Sequence, residues 1–404
     1  MVGGLRSYKA CVKTCFFSTY SYKKFLSLIL TPIAILFRLI GFRFSEPISQ
    51  DRIGHLILEP LYMHLRSGED KRFGRRFILF IPGGVTANGY ALQKLPKKFV
   101  VIKNPLLCKL LSPLKLSPFC GLNIRKDIWK PNQAVDVFKY TNLISSSKPF
   151  FDLPIRESQN VRNLLKNLGI SENDWYICLH NREAGYTKNI VEKGSTDFRN
   201  GSIDEFIPTI NYVASLGGTV VRVGDSSMTP FAKMHGLVDY VHSKFKSEEN
   251  DLLLSAHCRF FLTNSSGASM MAAAQGVPLV GVNIAPLGHS KFWGPNDIAV
   301  PKLYFRKNDD SPIKFSEIFA SKSSNFYKTQ MFEEANVYLK DTPFDEILEA
   351  VKQMLRQLRG DSSIPVSDME LQFKFNSLFD ASNFSFYSQT KISDYFLRKH
   401  INLL

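Results

Sequence analysis

Short apolar segments alternate with amphipathic segments between residues 176 and 282, and this alternation is the main structural signal of the chain. Apolar runs of strand length are separated by segments in which the apolar residues recur with helical spacing. The pattern predicts strands at Tyr176–Leu179, Thr219–Val223, Arg259–Thr263 and Pro278–Val282, and helices at Ile203–Leu216, Asn250–His257 and Ala268–Gln275. Regular alternation of strands and helices predicts an α/β fold with a parallel, doubly wound sheet.

A similar but less regular pattern precedes this region. Leu56–Leu65 has the apolar spacing of a helix despite Pro60, and Arg75–Ile81 reads as a buried strand that ends at Pro82-Gly-Gly84. We therefore predict a second, N-terminal α/β domain. Residues from about Leu143 onward are predicted to connect the two domains, and Glu157–Gly169 within them is typical of an amphipathic helix that Gly169 terminates.

The length of the chain fits two domains of ordinary size, since it has 404 residues. Beyond residue 310 the sequence predicts one clear helix, Phe344–Leu358, in a tail that packs back on the domains. The predicted organisation is an N-terminal segment, two α/β domains and a C-terminal tail, with boundaries at 1–45, 46–160, 161–310 and 311–404.

The first 45 residues differ from the rest in charge. Basic residues from Arg6 to Arg43 occur without one acidic residue, and they enclose the apolar run Phe25–Phe37. This run is shorter than the ~20 residues that span a bilayer, contains Pro32 and ends at Arg38. We therefore predict a membrane-associated helix that lies in the interface of an anionic membrane. A secretory signal peptide and an ordinary core helix are the alternatives.

The net charge indicates an anionic partner. Lys and Arg number 51 against 36 Asp and Glu, which gives +15. This charge suits a nucleotide, a phosphorylated lipid or a negative membrane surface. No aromatic and basic platform of the RNA-binding type occurs, so no nucleic acid partner is predicted. The six cysteines lack the spacing of zinc sites, and Cys178 and Cys258 are predicted to be buried thiols in a reducing cytosol.

Polar residues follow three of the predicted strands at the point where each strand ends. His180, Arg182 and Glu183 follow the first strand, and Asp225 follows the second. Ligands of open α/β sheets bind beyond the carboxyl ends of the strands, so these side chains are candidates for a common site. The third strand is followed by a small polar turn, which predicts an anion cradle because free amides and the helix dipole favour negative charge. The turn consists of Asn264, Ser265, Ser266 and Gly267.

Other candidates lie in loops. Arg199 and Asn200 follow a charged stretch, Lys188–Asp197, which is either a cover for a ligand or a plain surface loop. Gly54 and His55 stand at the start of a predicted helix and are candidates for acceptor contacts. Arg222 is predicted to be a strand residue paired with an acid. One further loop is a candidate for sugar recognition or for capping the domain, and it contains His289, Lys291 and Trp293.

The absence of several generic motifs argues against the enzyme classes that use them. The sequence has no Walker loop, GxGxxG, HExxH or GxSxG motif, which argues against the common nucleotidases, dehydrogenases, zinc proteases and serine hydrolases. It also has no DxD motif, the usual manganese-binding signal of one large glycosyltransferase fold.

A combination of short motifs resembles a bacterial family of glycosyltransferases that occur with surface polysaccharide and lipopolysaccharide genes. The resemblance covers roughly residues 50–300. It rests on Arg52-Ile-Gly-His55, Leu179-His-Asn-Arg-Glu183 with Gly185-Tyr186, Phe198-Arg-Asn200, Val221-Arg-Val-Gly-Asp225, Asp239-Tyr240, Asp251, Cys258-Arg-Phe-Phe261 and Ser265-Ser-Gly267. It implies a GT-B architecture of two Rossmann-like domains with a cleft between them. The His180-x-Arg182 element is also similar to that of fucosyltransferases, where the arginine meets the donor diphosphate.

The resemblance implies transfer of a hexosyl or deoxyhexosyl group from a nucleotide-sugar to a surface glycan or lipid-linked acceptor, at the cytoplasmic face of the inner membrane. Arg182 and the Ser265–Gly267 turn would stabilise the leaving diphosphate without a metal or cofactor. Glu183 or His180 would take the acceptor proton, and Asp225 would hold a hydroxyl group. A sugar-nucleotide epimerase or hydrolase of the same fold, and an inactive scaffold for glycan assembly, are the alternatives.

Overall fold

The computed structural model describes residues 21–45, 49–130, 132–144, 148–183, 195–361 and 365–404. Its contacts divide the chain into two compact units. Unit 1 comprises the described residues up to Asn88 together with Leu95–Asp127, and unit 2 comprises Gly89–Lys94 and Ile128–Leu404. Each unit contains a parallel sheet, so the predicted α/β class is confirmed.

The α-helices and strands are numbered in chain order. The helices are α1 Thr31–Leu39, α2 Ile53–Glu69, α3 Gly89–Gln93, α4 Pro105–Leu111, α5 Arg125–Ile128, α6 Val137–Thr141, α7 Gln159–Asn167, α8 Ile207–Ser215, α9 Glu248–His257, α10 Met270–Ala273, α11 Phe315–Ala320, α12 Thr329–Glu334, α13 Phe344–Leu358, α14 Val366–Asn376 and α15 Asp394–Lys399. The strands are β1 Phe42–Ser45, β2 Arg76–Phe80, β3 Phe99–Ile102, β4 Gly121–Leu122, β5 Trp175–His180, β6 Gly218–Arg222, β7 Leu237–Val238, β8 Phe261–Thr263, β9 Leu279–Ile284, β10 Ile298–Pro301, β11 Leu303–Arg306, β12 Val337–Lys340 and β13 Lys391–Ile392.

Unit 1 is built on a four-stranded sheet in the order β3-β2-β1-β4, and every pair is parallel. Helix α2 runs several residues beyond the predicted Leu56–Leu65 at both ends and contains Pro60. A proline inside a helix removes one backbone hydrogen bond, which costs about 3 kcal/mol. The helix is buried on all sides from Leu56 to Met63, and burial of its apolar side chains offsets this cost.

Unit 2 is built on a seven-stranded sheet in the order β13-β10-β9-β8-β5-β6-β7. All its strand pairs are parallel. The four strands predicted from the sequence are the adjacent central strands β9, β8, β5 and β6, which confirms the predicted sheet. Strands β7, β10 and β13 were not predicted, because two of them have two residues each and β10 ends at a proline beside a register shift.

The predicted helix Ala268–Gln275 is shorter than expected. The chain forms a 3₁₀ turn, Gly267–Ser269, and then only the four residues of α10. Gly276 adopts φ +77°, a left-handed conformation that ends a helix, and Pro278 prevents its continuation. The turn after β8 is therefore followed by a single turn of helix.

The C-terminal residues form an integral part of unit 2. Helix α13 has the bounds that the sequence predicts, and its buried face of Ile347, Val351 and Met354 packs against α8 and β10. The tail is not only helical, because β13 joins the edge of the seven-stranded sheet and β12 pairs with β11 antiparallel.

The larger part of unit 2 begins at Ile128, upstream of the predicted boundary at residue 160. Helix α6 packs on later parts of unit 2. Phe138 of α6 stacks on Trp293 at a centroid distance of 5.1 Å and meets Phe384 edge-on. These contacts join residues far apart in the sequence, so the sequence pattern did not indicate them.

The predicted N-terminal helix corresponds to helical residues 21–29 followed by α1. Phe25, Leu28 and Leu36 are exposed, so the run does not form the ordinary core helix that was one alternative. Residues 1–20 lie outside the described residues. In the part of the chain that the structure describes, we find no helix with the length and apolarity required to cross a bilayer.

Candidate functional site

His180 is the last residue of β5 and lies at the carboxyl end of this inner strand of the unit 2 sheet. Both of its ring nitrogens take part in hydrogen bonds. Nδ1 is 3.0 Å from the carbonyl oxygen of Val223, and Nε2 is 2.9 Å from the hydroxyl of Ser266. A carbonyl only accepts, so Nδ1 carries the proton and Nε2 accepts the hydrogen bond from Ser266. Burial lowers the pKa of His180, which keeps the ring neutral at pH 7.

Asn264, directly after β8, connects three segments of unit 2. Its fully buried side-chain amide donates to the side-chain oxygen of Asn181 at 3.0 Å and to the carbonyls of Arg182 and Arg199, both at 3.3 Å. Its side-chain oxygen accepts the backbone N–H of Arg182 at 2.9 Å. Asn264 is therefore an internal support of the site. Asn181 was not predicted, although it also follows the end of β5.

Arg182, which lies directly beyond β5, is buried. Its guanidinium donates to the hydroxyl of Thr196 at 2.7 Å. Thr196 precedes the 3₁₀ turn Asp197–Arg199, so this contact joins the end of β5 to the turn. Residues 184–194, which include Gly185 and Tyr186 and most of the stretch Lys188–Asp197, lie outside the described residues.

The turn Ser265-Ser-Gly267 presents consecutive backbone amides. Within the described residues, the N–H groups of Ser265, Ser266 and Gly267 make no hydrogen bond, and all three residues are partly exposed. The Ser266 hydroxyl accepts the N–H of Ala268 at 3.3 Å, which caps the following 3₁₀ turn. Ser266 itself is extended, with φ −134° and ψ 146°, and the amides without partners at the start of the 3₁₀ turn are suitable donors to an anion.

Arg199 lies against this turn. Its Nε donates to the carbonyl of Ser265 at 2.8 Å, and its Nη2 donates to the same oxygen. The structure thus brings Arg199 to the turn across 66 residues of sequence. Next to it, the carbonyl of Asn200 accepts from the buried Lys302 at 2.6 Å, and Lys302 also pairs with Asp341 at 2.6 Å. Lys302 was not identified from the sequence, since it follows a strand that was not predicted.

Glu183 does not lie free beside Arg182. One carboxylate oxygen is 2.6 Å from a guanidinium nitrogen of Arg222, and the other accepts the N–H of Thr229 at 3.0 Å. Arg222 is fully buried and also pairs with Asp239 at 3.0 Å. The prediction that Arg222 pairs with an acid is confirmed, and Glu183 is one of its two partners.

Asp225 is exposed beyond β6. One carboxylate oxygen accepts the N–H of Ser227 at 2.8 Å, a local turn contact. Gly224 has φ +157°, and a Cβ there would approach the sulfur of Met228 at 2.1 Å and Nδ1 of His180 at 3.2 Å. The glycine therefore allows the chain after β6 to pass close to His180.

In unit 1, Gly54 and His55 occupy the first turn of α2, as predicted. Nδ1 of His55 lies 3.2 Å from a carboxylate oxygen of Glu59, which is almost completely buried. Arg125 lies 3.8 Å from the same oxygen and donates to the Ser49 hydroxyl at 3.1 Å. Glu59 was not predicted, although its position one helical turn after His55 was a usable signal.

The loop of His289, Lys291 and Trp293 serves mainly to pack unit 2. His289 stacks on Phe384 at 4.3 Å, and burial together with the charge of Arg199 lowers its pKa to about 3. Burial lowers the pKa of Lys291 to about 8, and its ammonium lies 4.5 Å from the ring centroid of Phe379. His289 is thus the member of this loop that lies near the Arg199 charge.

No group of three or more His, Cys, Asp or Glu side chains among the described residues is arranged to hold a metal ion. The guanidinium of Arg199 contacts the Ser265–Gly267 turn and that of Arg182 contacts Thr196. Cys178 and Cys258 are buried free thiols, as predicted.

Comparison with known proteins gives only distant matches. No protein-family model and no curated protein matches the chain. Solved structures that resemble it include the glycosyl transferase family 9 protein from Veillonella parvula DSM 2008, with 14% identity, a TM-score of 0.47 and coverage of 78% of this chain and 97% of that one. The dodecameric iron-containing heptosyltransferase TibC with ADP-D-beta-D-heptose has 14% identity, a TM-score of 0.41 and coverage of 79% and 77%.

The E. coli heptosyltransferase WaaC with ADP matches with 12% identity, a TM-score of 0.30 and coverage of 70% of this chain and 98% of that one. All three TM-scores lie below 0.5, so none of these likenesses assigns this chain to a fold family or an activity.

We predict that Glu183→Gln lowers the free energy of unfolding by about 2–4 kcal/mol, because it leaves the buried Arg222 with one anionic partner instead of two. Urea unfolding followed by circular dichroism measures this loss. Glu172→Gln is the matched control, since Glu172 is exposed and one of its carboxylate oxygens lies 3.9 Å from Nε of Arg162. This substitution should lower the free energy of unfolding by less than about 1 kcal/mol. A stable Glu183→Gln protein that has lost activity would instead give Glu183 a chemical role.

We predict that the stability of the protein falls as the pH drops below about 6.5, partly through His180. The pKa of His180 is lower in the folded state, so unfolding takes up a proton in this range and the free energy of unfolding falls with pH, by at most about 1.4 kcal/mol per pH unit for one group. In His180→Gln this decline between pH 7.5 and 5.5 is shallower than in the wild type. Urea unfolding at both pH values measures the difference, and an equal decline in the two proteins would contradict the lowered pKa.

Proposed function

We propose that unit 2 binds the diphosphate of a nucleotide-sugar and that the protein is a glycosyltransferase acting on a surface glycan or a lipid-linked acceptor. The observation that carries this proposal is the turn of Ser265, Ser266 and Gly267, whose three consecutive amides have no hydrogen-bond acceptor among the described residues. Partly exposed amides in a row favour an oxyanion ligand, and a diphosphate offers several oxygens within the span of such a turn.

The positive charge around the turn supports the same ligand. Arg199 is held against the Ser265 carbonyl, and Arg182 is anchored by Thr196 and by Asn264. When the bond between the sugar and the diphosphate breaks, negative charge grows on the leaving group. Fixed guanidinium groups and amides stabilise this charge without reorganisation, so the proposed reaction does not require a metal ion.

His180 has a supporting role in this proposal. Its neutral ring accepts the hydrogen bond of Ser266 and thereby fixes the direction of the Ser266 side chain and the turn. Asp225 and Asn200, which follow β6 and the Arg199 turn, are the proposed contacts for ribose or sugar hydroxyl groups. A carboxylate and an amide are suitable because each can accept hydrogen bonds from hydroxyls.

The two groups that were expected to take the acceptor proton both have hydrogen-bond partners. Both ring nitrogens of His180 and both carboxylate oxygens of Glu183 are engaged, so we propose that these two residues position the site. We also propose that Gly54 and His55, in the first turn of α2, contact the acceptor. The buried Glu59 lies 3.2 Å from Nδ1 of His55 and orients its ring.

We predict that the wild-type protein is stabilised against thermal unfolding by one class of nucleotide and that Arg182→Ala abolishes this shift. A ligand at 100 times its dissociation constant adds about 2.7 kcal/mol of stability. The measurement is a thermal-shift screen with ADP, UDP, GDP, dTDP and CMP and their sugars.

Arg162→Ala is the matched control for this screen, because it removes an arginine from the exposed side of α7 in the same unit, and it should keep the full shift. Ser265→Pro removes one turn amide and should weaken the shift independently of charge. Absence of any shift in the wild-type protein would favour the inactive scaffold and count against the proposal.

We predict that His55→Gln raises the KM for the acceptor by about two- to tenfold, because it removes one proposed acceptor contact, while the nucleotide-induced thermal shift stays at its wild-type size. Glu59→Gln should give a smaller increase in this KM. Release of the nucleoside diphosphate from the identified donor, at varied concentrations of a lipid and glycan extract, measures the KM. A His55→Gln enzyme with the wild-type KM would remove His55 from the proposed acceptor contacts.

A further inference from the structure

Unit 1 carries an exposed apolar surface made by two segments that are distant in the sequence. The first is the helical stretch 21–39, in which Phe25, Leu28, Leu36 and Leu39 are exposed. The second is α4, where Leu106 is 64% and Leu110 57% exposed. Large apolar side chains that stay exposed side by side on a soluble unit mark a binding surface.

Both segments are fixed to the same core. Ala34 of α1 and Cys108 of α4 belong to one buried cluster with Phe44 and Phe80 of the sheet, and Leu111 of α4 packs on it as well. Each segment thus uses one face to pack on unit 1 and leaves the opposite side chains outside. Because both segments pack on the same cluster, their exposed side chains belong to one side of unit 1.

The charge around this surface identifies the partner. Between residues 21 and 45 the chain has no acidic residue, and the same holds for the whole stretch from Lys94 to Lys126. Exposed lysines border both apolar faces, namely Lys23, Lys24, Lys103 and Lys109. Apolar side chains combined with basic residues suit a bilayer that bears anionic lipids, because the leucines enter the acyl boundary while the ammonium groups meet phosphates.

A second copy of the chain fits this surface less well. In a symmetric dimer the same patch faces itself, so lysines would lie opposite lysines at its border. We propose that α4 and residues 21–39 together form a membrane-docking face for an anionic bilayer, with α4 as a required part. This inference is independent of the transferase activity, because docking needs neither donor nor acceptor.

The test is co-sedimentation of the full chain with vesicles of phosphatidylglycerol and phosphatidylcholine, and with pure phosphatidylcholine vesicles. The triple variant Leu106→Ser, Leu107→Ser and Leu110→Ser leaves the N-terminal segment intact. We expect its partition coefficient on anionic vesicles to fall by about tenfold or more, since three leucines no longer enter the bilayer. Raising the salt concentration or omitting the anionic lipid should also weaken binding of the wild-type protein.

The matched control replaces three exposed apolar residues of α14 in unit 2, Val366, Met369 and Phe373, by serine. It should bind vesicles like the wild type. Unchanged circular dichroism and melting temperature show that the α4 variant is folded, and an unchanged nucleotide-induced shift separates this test from the one on unit 2. Equal vesicle binding by the α4 variant and the wild type would overturn the proposal. The proposal would also fail if the wild-type protein did not bind vesicles but formed a dimer in solution that the α4 substitutions abolish.

Discussion

The buried side chain of Asn264 is the interaction on which the candidate site depends. One amide group bonds to the end of β5, through Asn181 and Arg182, and to the segment that carries Arg199. A buried amide costs free energy unless it is paired, and here both its oxygen and its nitrogen have partners. This satisfied network fixes the position of the two arginines relative to the turn that follows Asn264. An anion site needs such fixed donors, because donors that must reorganise stabilise charge poorly.

A second buried polar group acts beside it. Arg222 lies inside β6 with no exposed surface and is paired with Glu183 and Asp239. A buried cation of this kind is tolerated only with partners. Its pairing fixes the chain after β5 from the other side, so that Arg182 lies between two supported residues, Asn181 and Glu183. In our proposal Glu183 is therefore a positioning residue.

The sequence was informative wherever local pattern and tertiary environment agree. The central strands of unit 2 were predictable because parallel strands buried on both faces are continuous apolar runs. Helix α13 was predictable to the residue because it is strongly amphipathic. The polar residues at the ends of β5 and β8 were recognised for the same reason, since a strand that ends in His180 or Asn264 changes abruptly from apolar to polar. Strands of two residues, such as β7 and β13, are too short to show the alternation of apolar and polar residues by which a strand is predicted.

The sequence by itself determined the α/β class, the positions of the main strands and the clustering of polar residues at one end of them, because each of these follows from local periodicity. Only the tertiary structure decided which polar residues are partners. It paired Glu183 with Arg222, His55 with Glu59 and Arg199 with the Ser265 carbonyl, and it brought α4 and the N-terminal helical stretch onto one core cluster. The physical reason is that hydrogen bonds and ion pairs depend on distances of about 3 Å between atoms, and such distances between residues far apart in the chain are set only when the sheet and its loops are packed.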